Sequence, residues 1–139
     1  MPPPTAVIVR VSINAEKTEA TFTGLRLPSP PLDGDTFFVN HGDTLEWELQ
    51  DESGRPLKGG RFQLRFSGFP NEADKRPLLL NTKEVVEANR RVIRGAVNTQ
   101  ALKGRYRYAL VNQETNKGLV CLWGVKRLEM VGGEDSGGP

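Results

Sequence analysis

The chain has 139 residues, a net charge of +2, one histidine and one cysteine. That length suits a single domain with a real core, and one cysteine excludes an internal disulfide. No run approaches the ~18 apolar residues of a membrane helix. The start "MPPPTAVIVRV" lacks the basic segment and long apolar stretch of a leader, so a cytoplasmic protein is expected.

Residues 1–5 carry Pro-Pro-Pro and are expected to be a flexible N-terminus. Strict alternation then begins. Val7, Val9, Val11 and Ile13 share one face of a first strand, and a turn at Asn14-Ala15-Glu16 leads to Ala20 and Phe22. "LRLPSPPLDGD" holds three prolines and reads as a crossing loop. Leu45, Trp47 and Leu49 alternate with Glu46 and Glu48. After the turn-rich "DESGRPLKGG", Phe62, Leu64 and Phe66 alternate with Arg61, Gln63 and Arg65. "GFPNEADKRP" is a polar loop.

The segment from 78 to 98 is ambiguous. Asn81 with Glu84 resembles a capping box and predicts a short helix near 82–90. Val85, Val86, Val92, Ile93 and Val97 favour two short strands instead. Beyond it, Tyr106, Tyr108 and Leu110 alternate with Arg105 and Arg107. "LVCLWGVKRLEMV" closes the domain, with Gly124 marking a bulge or kink. Residues 132–139, "GGEDSGGP", read as a disordered tail. The expectation is all-β: one antiparallel β-sandwich of about seven or eight strands over 6–131, with at most one short helix. Leu45, Trp47, Leu49, Phe62, Leu64, Phe66, Tyr106, Tyr108 and Leu110 are the expected core.

Two stretches carry a family resemblance. "VNHGDTLEWEL" looks like the "V-x-x-G-D-T-V-x-W" strand of cupredoxin-like sandwiches. "KGRYRYALVN" is similar to their "G-x-Y-x-Y" strand and to the tyrosine-bearing strand of immunoglobulin-like folds. The resemblance implies a two-sheet sandwich; fold alone assigns no activity. A mononuclear cupredoxin centre takes two histidines and a thiolate, usually with an axial methionine. This chain offers only His41 and Cys121, and Leu122-Trp123-Gly124-Val125 supplies no second imidazole. No metal and no cofactor is expected.

Nor does the sequence contain a nucleophile elbow, a phosphate-binding glycine loop or a zinc-protease motif. His41 reads as an exposed turn histidine and Cys121 as a core thiol. Glu46 and Glu48 read as solvated, or as paired with Arg61 or Arg65 across a hairpin. Charge is unevenly spread: from Ala88 to Gln113 there are six basic residues and no acid. Arg90, Arg91, Arg94, Arg105 and Arg107 are therefore the candidate partner-binding residues. The expected function is a non-catalytic binding module that meets a protein partner through this basic face, or through the loops at 27–35 and 68–77. Two alternatives stay open. One is a single-stranded nucleic-acid binder using Tyr106 and Tyr108. The other is an enzyme with an unconventional site, if folding brings His41 to Cys121.

Overall fold

The computed structural model describes residues 6–27, 35–67, 77–87, 89–125 and 127–130. They form eleven strands. In chain order these are β1 (Ala6–Ile13), β2 (Glu19–Arg26), β3 (Thr36–Val39), β4 (Thr44–Asp51), β5 (Phe62–Ser67) and β6 (Leu79–Glu87). They continue as β7 (Arg90–Val97), β8 (Gly104–Asn112), β9 (Lys117–Gly118), β10 (Val120–Gly124) and β11 (Arg127–Met130). No helix occurs among the described residues, so none there is long and apolar enough to cross a membrane. The terminal segments expected to be flexible lie outside the described residues, as does most of the two loops at 27–35 and 68–77.

The strands make two sheets. Sheet A has six strands in the order β10-β2-β1-β4-β7-β6. Sheet B runs β3-β11-β8-β5, with the short β9 added to β8. Both are mixed, which corrects the expectation of a purely antiparallel fold. β1 pairs parallel with β4, β2 with β10, and β3 with β11. The cause is the path of the chain. It leaves sheet A after β2, makes β3 in sheet B, and returns as β4 beside β1 in the same direction. Alternation reports which face a side chain takes, not which way the neighbouring strand runs. The strand number also exceeds seven or eight, because short β3, β9 and β11 carry too few residues to show a period.

One core fills the space between the sheets, an arrangement consistent with a β-sandwich. In sheet A, Val7, Val9 and Val11 stand in register with Leu45, Trp47 and Leu49. Across the gap, Trp47 and Phe22 meet Tyr108 of sheet B edge-on, with ring centroids 5.4 and 5.7 Å away. The expected core residues all join this cluster, with Phe66 at its margin. The Tyr108 hydroxyl donates to the Val125 carbonyl. Burial pushes the phenol well above its usual pKa. The Trp47 indole N–H is buried without a hydrogen-bond acceptor among the described residues.

The described residues of 82–90 contain no helix. Most of them belong to the β6/β7 hairpin, so the helical expectation is corrected. Asn81 does not cap anything: it holds a left-handed φ of 56° beside a register shift between Leu80 and Lys83. Short polar side chains tolerate that conformation, which is why Asn sits at such a bulge. Gly124 ends β10 at φ 115°, and the register slips between Cys121 and Trp123. The expected kink is there. It lets the chain turn out of sheet A and cross to β11 in sheet B.

Candidate functional site

The five candidate arginines fall into three settings. Arg90 and Arg94 lie on the outer face of sheet A, beside β4. Arg90 reaches Glu46 Oε1 at 2.5 Å, Glu48 Oε2 at 2.9 Å and Glu87 Oε1 at 3.2 Å. Arg94 reaches Glu46 Oε2 at 2.7 Å. Glu46 was expected in solvent or against Arg61 or Arg65; it is instead only 8% exposed and clamped between these two guanidiniums. The register explains this, because Glu46 stands directly opposite Arg94 across the β4/β7 pair. The long side chains of both arginines then fold over it.

Burial pushes the Glu46 carboxyl up, but hydrogen bonds and charge from Arg90 and Arg94 outweigh it and hold the pKa below the ordinary 4.5. A depressed carboxylate contributes stability that is present above its unfolded pKa and lost as pH falls through the folded one. Unfolding measured against pH should therefore lose stability below about pH 4.5, and Glu46→Gln should flatten that decline. An equally steep decline in the variant would show that Glu46 plays no part in it. With Arg90 and Arg94 about one-third exposed, each pair is worth on the order of 1 kcal/mol or less. These two cations are spent inside the molecule.

Arg91 faces the other way. It bonds Glu84, donates to the carbonyls of Leu57, Gly59 and Gly60 at 2.7–3.1 Å, and lies over the Phe62 ring at 5.6 Å. Only 8% of it is exposed. Its role here is to anchor the 57–60 connection to β7, since one planar guanidinium can satisfy several acceptors at once.

Arg105 and Arg107 lie on the opposite sheet. Tyr106, Tyr108 and Leu110 point inward, so both arginines point outward from β8, as their alternation predicts. The chain crosses from β7 in sheet A to β8 in sheet B, so the basic block does not form one patch. Sequence reasoning missed two further members of the sheet B face, Arg65 and Arg127. Arg127 stands directly opposite Arg107, and Arg65 sits diagonally from it on β5. Their signal was available: Phe62, Leu64, Phe66, Leu128 and Met130 go inward, which turns Arg65 and Arg127 out.

This face is poorly neutralised. Arg105 reaches Glu129 at 3.2 Å, and Arg127 reaches Asp35 only at 3.7 Å. Arg65 bonds the neutral Asn116 side chain at 3.1 Å. The Nε of Arg127 is buried with no hydrogen-bond partner among the described residues. Like charges directly opposite on a sheet repel, so the Arg107/Arg127 pair opposes folding rather than supporting it.

The remaining candidates are separated. His41 is half-buried, not fully exposed, and its Nε2–H donates to the Ala101 carbonyl at 3.0 Å. Cys121 lies on β10 opposite Ala20, partly buried at the margin of the core. Three strand spacings, ~14 Å, separate β10 from β4, which follows His41. Among the described residues no three His, Cys, Asp or Glu side chains group to hold a metal. No protein-family model matches the chain, and no curated protein matches it.

Proposed function

We propose that this chain is a non-catalytic interaction module, and that it meets an acidic protein surface through the outer face of sheet B. The observation that carries this reading is the cross-strand pair of Arg107 and Arg127, flanked by Arg65 and Arg105, with Glu129 the one acid on the outward strand positions. Repulsion within such a face is relieved when carboxylates arrive. The guanidinium fork binds them in pairs. Arg90, Arg91 and Arg94 leave the partner-binding set, because their own acids and carbonyls already occupy them.

Burial of Tyr106 and Tyr108 favours a protein partner over a single nucleic-acid strand. Stacking needs aromatic faces beside the cations, and both tyrosines face the core, with Tyr106 donating to the Leu102 carbonyl at 2.8 Å. The separation of His41 from Cys121 favours binding over catalysis. The architecture supports the cupredoxin-like or immunoglobulin-like resemblance at the level of two sheets and one core; the mixed strand directions set this chain apart from a purely antiparallel member.

Arg105→Glu with Arg107→Glu should leave the circular dichroism and melting temperature near those of the wild type, since both side chains are exposed. Capture of partners from native extract should fall at least about tenfold, and wild-type capture should weaken steeply with salt. Nuclease treatment of the extract separates the readings: a protein partner survives it. Unchanged capture by the folded double variant would remove this face from the account.

A further inference from the structure

We propose a second binding surface, distinct from the arginine face: a cleft between the free edges of β5 and β6 that takes an extended, acidic segment of a partner protein by strand addition. Among the described residues sheet B ends at β5 and sheet A ends at β6, and the two edges do not pair. Two adjoining cavities of about 380 and 270 Å³ lie between them, sharing Gln63, Leu64 and Thr82. Their floor is apolar core, with Phe66 and Leu79 in one and Phe62 and Ile93 in the other. The larger of the two falls within the volume range of ligand sites.

The edges differ in how they are guarded. Bulges and very short strands are among the devices by which natural sheets blunt exposed edges. β3 has four residues, β6 carries the Asn81 bulge, and β10 carries its own register slip and Gly124. β5 keeps an unbroken register with β8 from Phe62 to Ser67. The Gln113 N–H donates to the Arg61 carbonyl at 2.8 Å. Hydrogen-bonded pairs alternate in an antiparallel ladder, so the backbone groups of Phe62, Leu64 and Phe66 face the open edge. An added strand would bond to these groups and send alternate side chains into the cleft.

Charge selects the occupant. Arg61 and Lys83 line the cleft, and neither forms an ion pair among the described residues. Its one acid, Glu84, is already bound by Arg91. A segment in which apolar residues alternate with Asp or Glu fits both the floor and the rim.

The test uses the full chain as bait for a display library of short random peptides. Enriched peptides should alternate apolar and acidic residues. An enriched peptide should slow hydrogen exchange at Phe62, Leu64 and Phe66 by about tenfold or more. Arg61→Glu with Lys83→Glu, checked for folding by circular dichroism, should weaken its binding at least about tenfold. Absence of enrichment, protection that maps to β10 or the sheet B face, or unchanged affinity in the folded variant would overturn the proposal. So would self-association of the chain that protects the same amides, because the occupant would then be a second copy.

Discussion

Trp47→Ala should cost about 3–5 kcal/mol, a large share of the stability of a domain this size. The indole is fully buried at the centre of β4 and packs edge-on against Tyr108 of the other sheet. Removing it opens a cavity at the point where the two sheets meet, and the surrounding valines of β1 cannot collapse into it without breaking their register. Trp47→Phe should cost much less, since it keeps an aromatic ring edge-on to Tyr108. Chemical denaturation of both variants checks this. A Trp47→Ala melting temperature equal to that of the wild type would contradict the assignment of the core face.

The second large effect is at Gly124. A Cβ there would lie 1.7 Å from the Phe22 carbonyl oxygen and 2.6 Å from its carbon. Both are backbone atoms, so no side chain can move aside. The φ of 115° adds strain for any other residue. Gly124→Ala should therefore cost about 3 kcal/mol or more, and the damage should be local at first. Hydrogen exchange should accelerate on β10 and β2 before it does on β4 and β7. A variant with wild-type stability would show that the β10–β2 pairing is looser than the register implies.

Sequence reasoning succeeded where a periodic signal had a single physical cause. Strands β1, β4, β5 and β8 were legible because one face of each is buried, and period two is the only period that buries it. Strand direction left no such mark: β1 and β4 alternate identically whether they run parallel or antiparallel. Local rules misled where tertiary contacts had a stronger claim. Asn81 and Glu84 looked like a helix cap, yet Asn81 supplies a left-handed bulge and Glu84 bonds Arg91. Glu46 looked solvated because it points away from the core; two arginines from β7 cover it, and nothing local to β4 announces them. The basic block at 88–113 looked like one patch because it is continuous in sequence. The crossover after β7 divides it between sheets, leaving Arg90 and Arg94 among acids and Arg105 and Arg107 with Arg65 and Arg127.

That division is the basis of the proposed function, and a matched comparison tests it most directly. Arg90→Gln with Arg94→Gln and Arg105→Gln with Arg107→Gln remove the same charge from opposite sheets. Stability and partner capture are measured on both. The first pair should lose stability, because Glu46 is left buried without its cations, and should retain the partner while folded. The second should keep its melting temperature, because loss of the exposed Arg105–Glu129 pair offsets relief of the Arg107/Arg127 repulsion, and lose the partner. Partner capture lost by the sheet A pair while folded, and retained by the sheet B pair, would contradict the account.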